Sequence, residues 1–455
     1  MLSDPIVALA TPAGRSALAV IRLSGTGALE IAARVVSSRG PREAGASRLA
    51  GIPDRVATLA VFCGPDGAAI DQGLVTIFRG PRSYTGEDLV ELSCHGGLLA
   101  PAELLAALHA AGARPAAPGE FTRRALLNGK LDLLQAEAIG DLIDATAPAQ
   151  GRAALHQLDG GLSRRIAELR EQAVELLALL AYDIDFPEED DGPVPRGRIR
   201  AAHDALARQV GLLLATAPAG ERLREGALVV LAGRPNAGKS SLFNALLGVN
   251  RALVTEIPGT TRDTIEAHTA LLGWPVRLAD TAGLRESEEP IERLGIEVSR
   301  RYLGAADLVL LCVEAGRALT AEERQLQRDR GALLVRSKAD LLPAGQGDGE
   351  EGLAVSVVTG RGLDAVARGI AERLFDGRDA ACDFTPMLTR GRHRVSLERA
   401  TAALGEAGPH VEEGGDPVLA AHHIQAAVAE LDELIGIVHP DEVLGRVFER
   451  FCVGK

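Results

Sequence analysis

Apolar and polar residues alternate over the first part of the chain, and the alternation predicts strands. Ile6–Ala10, Ala17–Leu23, Val56–Phe62 and Gly73–Phe78 carry it, punctuated by Gly14, Gly25, Gly64, Gly67, Gly80 and Pro81. Helical spacing intervenes near Ala28–Val36 and Leu98–Ala111, so residues 1–118 read as a compact α+β domain. From Gly119 the period lengthens. Glu120–Leu134 and Gln135–Ala145 are amphipathic, and Leu162, Ile166, Leu169, Ala173, Leu176 and Leu180 keep one helix face. The acidic run Asp185–Asp191, with Pro187 inside it and Gly192 beyond, reads as a solvated loop in preference to a metal site. Leu206, Val210 and Leu213 resume the stripe, and Ile424, Val428, Leu431, Ile435 and Val438 repeat it near the end.

Neither helical set buries its stripe alone. Residues 119–221 and 379–455 are therefore expected to pack together as an all-helical central domain. Residues 222–378 are then an insertion whose ends lie close together. Inside it, Leu228–Ala232, Val276–Ala279, Asp307–Val313 and Leu333–Arg336 read as buried strands, with a helix over Leu242–Leu247. The fold class is multidomain α/β, with a mostly parallel sheet in the insertion.

Composition narrows the partners. A chain of 455 residues, 46% apolar and 24% charged, buries substantial cores. A net charge of −13 argues against a surface basic throughout, leaving a local basic patch for RNA open, and 3% aromatic residues offer little for base stacking. Cys63, Cys94, Cys312, Cys382 and Cys452 share no C-x-x-C spacing, which fits a reducing cytosol better than a disulfide framework or structural zinc. No secretory signal and no membrane-spanning apolar run is apparent, so a cytoplasmic location is expected.

The chemistry centres on Gly233-Arg234-Pro235-Asn236-Ala237-Gly238-Lys239-Ser240, a G-x-x-x-x-G-K-S loop between a strand and a helix. Glycines let main-chain N–H groups turn toward phosphate oxygens, Lys239 brings a point charge, and the Ser240 hydroxyl suits magnesium. The following helix N-terminus adds a favourable dipole. Thr260-Thr261-Arg262-Asp263 follows about twenty residues on, as a switch threonine would. Asp280-Thr281-Ala282-Gly283 is D-x-x-G, with Asp280 holding magnesium through water and Gly283 N–H sensing the γ-phosphate. Ser337-Lys338-Ala339-Asp340 occupies the place of N-K-x-D, whose Asp accepts from guanine N1–H and N2–H₂. Ser356-Val357-Val358 stands where S-A-x approaches the guanine O6. The order of these elements points to GTP. Leu284 replaces the glutamine that orients water in Ras-like GTPases, so another group must do so. Asn236 and Glu292 are candidates, although each alone reads as a surface residue. Glu91 alone likewise reads as a solvated carboxylate, and His95 as a packed or capping histidine.

Taken together, these motifs resemble the tRNA modification GTPase family MnmE, also called TrmE. The resemblance covers nearly the whole chain. It is carried by Ala10-Thr11-Pro12-Ala13-Gly14-Arg15, Ser83-Tyr84-Thr85-Gly86-Glu87-Asp88, His95-Gly96-Gly97, Pro118-Gly119-Glu120-Phe121-Thr122-Arg123-Arg124-Ala125, Asn128-Gly129-Lys130-Leu131-Asp132-Leu133, the phosphate loop and the tail Phe451-Cys452-Val453-Gly454-Lys455.

The resemblance implies a Ras-like GTPase domain within the helical one, and a first domain that dimerises and binds tetrahydrofolate (5-formyl- or 5,10-methylene-tetrahydrofolate). Arg22, Glu91, Lys130 and Lys455 fall on the folate contacts; a carboxylate suits pterin donors and cations suit the folate's carboxylates. Nucleotide contacts are implied for Asn236-Ala237-Gly238-Lys239-Ser240-Ser241, Thr255-Glu256-Ile257-Pro258-Gly259-Thr260-Thr261, Asp280 to Gly283, Ser337 to Asp340 and Ser356 to Val358. Asn236, Thr255, Ile257 and Thr260 look like potassium ligands, Ser240 and Thr261 like magnesium ligands, and Glu292 like the water-orienting group. Catalysis would thus rest on Glu292, Lys239 and Asn236, and Cys452 matches a functional cysteine of the family. Pro258, Ser337, Val357 and Ser16-Ala17 depart from the common pattern, none of them removing a catalytic group.

The implied function is a homodimeric, potassium-activated GTPase. With a flavin-dependent partner resembling MnmG, it would install a (carboxymethyl)aminomethyl group at C5 of the wobble uridine of certain tRNAs, using a folate one-carbon unit. The rivals are a switch GTPase of ribosome assembly with a folate-like binding module, and a stand-alone folate-dependent one-carbon transferase.

Overall fold

The computed structural model describes residues 4–37, 49–185, 194–248, 266–280, 301–343, 351–375, 386–437, 447–448, 451 and 453–454. Two compact units divide the chain, Met1–Gly140 with Asp432–Lys455, and Asp141–Leu431.

The first unit is built on a seven-stranded sheet: β1 (Ile6–Leu9), β2 (Leu18–Ser24), β3 (Val36–Ser37), β4 (Thr58–Cys63), β5 (Ala69–Phe78), β6 (Leu89–His95) and β7 (Arg114–Pro115). Their order is β3-β4-β5-β6-β2-β1-β7. Only the β1–β7 pair is parallel. Strand alternation sends Ile21, Leu23, Val75, Ile77, Val90 and Leu92 into one core with Ile31 of α1 (Ala28–Val35) and Leu104 and Leu108 of α2 (Leu99–Ala110). That leaves Arg22 and Glu91, partners in the β2–β6 register, off the buried core.

Helical periodicity predicts one helix over Glu120–Leu134. Instead α3 (Glu120–Leu127) stops and α4 (Leu133–Asp144) begins anew. Gly129 takes φ 65°, Lys130 N–H donates to Ala125 O at 2.8 Å and Gly129 N–H to Leu126 O at 3.0 Å. This Schellman closure satisfies the last carbonyls of α3 and breaks the helix. Phe448 and Phe451 pack on Leu126, Leu133 and Ala136.

In the second unit, α5 (Pro148–Leu158), α6 (Gly161–Asp185), α7 (Arg196–Leu214) and α8 (Ala217–Glu225) precede a six-stranded sheet. The stripe from Leu162 to Leu180 is buried throughout, as are Leu206, Val210 and Leu213. The sheet comprises β8 (Ala227–Ala232), β9 (Glu266–Leu271), β10 (Trp274–Asp280), β11 (Leu308–Glu314), β12 (Leu333–Ser337) and β13 (Leu353–Ala354), in the order β13-β12-β11-β8-β10-β9. Only β9 runs antiparallel to its neighbour. Helices α9 (Lys239–Gly248), α10 (Ala321–Arg330) and α11 (Leu363–Leu374) accompany it. With β8 buried along its whole length, the sheet is covered on both faces.

Beyond the sheet come α12 (Gly391–Ala407) and α13 (Pro417–Ile435). Helices from both sides of the sheet pack together, and the His203 ring nitrogen of α7 meets Leu404 O of α12 at 2.8 Å. The α13 stripe keeps Ile424, Val428 and Leu431, then continues through Leu434, leaving the expected Ile435 half-buried. An i+3 step after Leu431 stays on the buried side as well as an i+4 step would. Val438 and residues 186–191 of the acidic run lie outside the described residues.

Candidate functional site

Strand β8 delivers the chain to the phosphate loop. Gly233 has φ 142°, and a Cβ there would overlap the Cys312 carbonyl oxygen, so the loop starts pressed against β11. Asn236, exposed, turns left-handed at φ 61°, and Gly238 does so at 82°. Left-handed turns of this kind curl a backbone into an anion-binding concavity. Lys239 opens α9 and is buried, its ammonium donating to Gly233 O at 3.0 Å and Arg234 O at 2.8 Å. Ser240 and Ser241 are exposed on the first turn, and Asp280 is buried at the end of β10 opposite Leu231 of β8. Burial pushes the neighbouring Cys312 thiol up to about 12, which keeps it protonated and inert.

Ser337 closes β12. Its hydroxyl donates to Ala237 O at 2.7 Å, joining the base motif to the phosphate loop. Lys338 is left-handed at φ 54°, with its ammonium 3.6 Å from Glu314 Oε1. Ala339 N–H donates to Val355 O at 3.0 Å, which brings Ser337–Asp340 beside Ser356–Val358. Asp340 is exposed; Ser356 is buried with its hydroxyl accepting from Thr359 N–H; Val357 packs on the core and Val358 is 86% exposed. A cavity of about 250 Å³ lies against Asn236, Ala237, Val313, Glu314 and Lys338.

One pairing here escapes sequence reasoning. Arg234 Nε and Nη2 donate to Glu323 Oε1 and Oε2 at 2.9 and 2.8 Å. Eighty-nine residues separate the two. The only sequence hint is Thr320-Ala321-Glu322-Glu323, a capping box that marks the start of α10.

The first unit holds a second polar site. Arg22 Nη2 and Nε both donate to Glu91 Oε1, at 2.8 and 3.1 Å. The guanidinium lies 5.4 Å from the Tyr84 ring centroid and 5.8 Å from that of Phe121, and Nη1 donates to Gly454 O at 3.3 Å. Glu91 is thus half-buried and ion-paired, contrary to its reading as a solvated carboxylate. Lys130 is exposed and donates to Pro81 O at 3.0 Å, on the same loop that carries Tyr84. His95 is 74% exposed and paired to Asp71 at 2.8 Å, so it is neither packed nor capping.

Beneath that loop lies a network that sequence patterns did not reveal. Arg124, 1% exposed, donates to Glu87 at 3.0 Å, Glu120 at 2.9 Å and Asp4 at 3.2 Å. Burial alone would raise the Glu120 carboxyl, but bonds from Arg114, Ala117 N–H and Arg124 outweigh it and hold it at about 2. Glu292, Thr255, Glu256, Ile257, Pro258, Gly259, Thr260, Thr261, Thr281, Ala282, Gly283, Cys452 and Lys455 lie outside the described residues.

Comparison with known proteins agrees with this layout. A family model described as "MnmE helical domain" matches residues 133–452, and one described as "GTP-binding protein TrmE N-terminus" matches residues 5–130. Curated proteins named tRNA modification GTPase MnmE align end to end. That of Moorella thermoacetica is 42% identical over 100% of both chains. One from Thermus thermophilus is 45% identical over 100% of this chain and 99% of its own. The Symbiobacterium thermophilum protein is 41% identical over 100% of both. With both its N-terminal and helical regions matched, and identity of this order over its full length, the chain belongs to the tRNA modification GTPase MnmE family.

Proposed function

We propose that this chain is a potassium-activated GTPase which, as a homodimer and with a flavin-dependent partner, installs a (carboxymethyl)aminomethyl group at C5 of the wobble uridine of certain tRNAs. Family membership makes it a GTPase acting in tRNA modification. The observation that carries the nucleotide half is the Ser337 hydroxyl on Ala237 O, which ties the base-reading strand to the phosphate loop in one rigid cradle.

The donors fit the groups the reading requires. A serine hydroxyl at a helix start and a buried carboxylate at a strand end suit magnesium, with Thr261 as a further ligand. The side-chain oxygen of exposed, left-handed Asn236 suits potassium, alongside Thr255, Ile257 and Thr260. Potassium held there would supply the kind of positive charge that an arginine finger gives elsewhere. Lys239 is oriented by the two carbonyls it meets. Asp340 accepts from the guanine edge, and Glu292 orients water.

In the first unit, Glu91 takes both Arg22 bonds on Oε1, so Oε2 suits pterin donors; Arg22, Lys130 and Lys455 suit the folate's carboxylates. A bound tetrahydrofolate supplies the one-carbon unit. Cys452 stands beside this site in sequence, between Phe451 and Gly454. No described helix is long and apolar enough to cross a membrane.

The test is nucleoside analysis of tRNA from cells lacking this chain, complemented with wild type or Glu91→Ala. Wild type restores the modified wobble uridine and Glu91→Ala does not. Unmodified uridine persisting with wild type, alongside a ribosome-assembly defect that is corrected, would favour a switch GTPase.

A further inference from the structure

Arg234 is held at both of its ends. Its guanidinium meets both Glu323 oxygens in a fork, and Nη2 also donates to Ala318 O at 3.3 Å. Its carbonyl accepts the Lys239 ammonium at 2.8 Å and Ala237 N–H at 3.3 Å. A bidentate arginine–carboxylate pair fixes orientation as well as distance. The fork therefore ties the Arg234 side chain to α10 while the Arg234 carbonyl holds Lys239.

The anchor itself is fixed. Glu323 is buried in the first turn of α10, where Oε2 also accepts Thr320 N–H at 2.8 Å and Glu323 N–H donates to the Thr320 hydroxyl at 3.2 Å. One carboxylate thus closes the cap of α10 and grips the phosphate loop. Burial opposes ionisation of Glu323, but bonds from Arg234 and Thr320 outweigh it and lower its carboxyl, while the same carboxylate raises the Arg234 guanidinium. The pair stays charged across the neutral range.

We infer that Glu323 is a positioning residue for GTP hydrolysis, acting through the Arg234 fork to fix the carbonyl that aims the Lys239 ammonium. This rests on GTP hydrolysis by the chain and not on the potassium or folate parts of the reading. Because the ammonium acts on charge that grows in the transition state, a loosened loop should lower kcat more than it raises KM. Misplacing such a group by about 1 Å costs on the order of a hundredfold.

The experiment is steady-state GTP hydrolysis by the full chain, with Glu323→Gln, Glu323→Ala, Arg234→Ala, Arg234→Lys, the Arg234→Ala/Glu323→Ala double variant and Thr320→Ala. Both single alanine variants should lose kcat by roughly ten- to a hundredfold with a smaller change in KM, and the double variant should lose no more than either. Arg234→Lys, which keeps the charge without the fork, should not restore the rate. Thr320→Ala, which removes only the cap hydroxyl, should lower the melting temperature and leave kcat within about twofold. If Glu323→Ala does not fold, Glu323→Gln carries the test, since it keeps a cap acceptor and loses the charge. Single variants within about twofold of wild type, or losses that multiply in the double variant, overturn the inference. An inactive wild type would instead overturn the hydrolysis on which it rests.

Discussion

Ser337 shows how one atom of reach is redistributed. Its hydroxyl is shorter than the usual asparagine amide, yet it reaches Ala237 O at 2.7 Å, in the loop that packs against the end of β12. Ser337→Ala leaves the carbonyl of buried Ala237 without that donor, at a cost of about 1–3 kcal/mol. A guanine-nucleotide titration should show affinity weaker by roughly tenfold, with the melting temperature of the apo chain also lowered. At Gly233 the constraint is steric: φ 142° and the Cys312 carbonyl leave no room for a Cβ. Gly233→Ala should abolish nucleotide binding in the same titration, because the loop must leave β11 to accept the methyl group. Positions such as Gly233 and Lys239 are legible in sequence, since their chemistry is dictated by one short loop. The state of Glu91 was not legible, because its partner Arg22 comes from a strand that only the sheet register brings opposite.

At the scale of elements, periodicity served the long helices and the buried strands well. The Leu162–Leu180 stripe is buried residue for residue, and β8 is apolar throughout because parallel strands are covered on both faces. It failed where local hydrogen bonding beats period, as at Asn128-Gly129, a stop signal that ends α3 despite apolar residues continuing beyond. Nor could it find the whole Arg124 network: Glu120 stands one turn before Arg124 on α3, but Asp4 and Glu87 come from outside that helix.

That network supplies two predictions. Arg124→Met removes the shared cation and leaves its carboxylates without that partner, which costs about 3–5 kcal/mol where such a pair is buried. Differential scanning calorimetry should show the transition of the first unit shifted down. Because the folded Glu120 carboxyl sits near 2, below its ordinary value of 4.5, its contribution is present above about pH 4.5 and lost as pH falls toward 2. Melting temperature should drop over that window in wild type, and less steeply in Glu120→Gln.

The whole molecule joins its extremes of sequence. Phe448 and Phe451 fill the surface made by Leu126, Leu133 and Ala136, and Gly454 brings its carbonyl to Arg22, 432 residues away. A Cβ on Gly454 would overlap Leu9 O, so the tail lies tight against the end of β1. Deleting residues 438–455 should lower the melting temperature of the first unit and weaken binding of 5-formyl-tetrahydrofolate, read by calorimetric titration. Unchanged folate binding would detach the tail from that site. The family resemblance groups Lys455 of the tail with Arg22 at one implied folate site, and the fold adds the bond from Arg22 to Gly454 O.

The proposed GTPase takes its catalytic charge from a monovalent cation. The most direct measurement is GTP hydrolysis at equal ionic strength in potassium and in sodium, for wild type, Asn236→Ala and Glu292→Ala. Potassium should stimulate the wild type strongly, and both substitutions should abolish the stimulation. Equal rates in the two salts would contradict it and leave an ordinary switch GTPase that awaits an external activator.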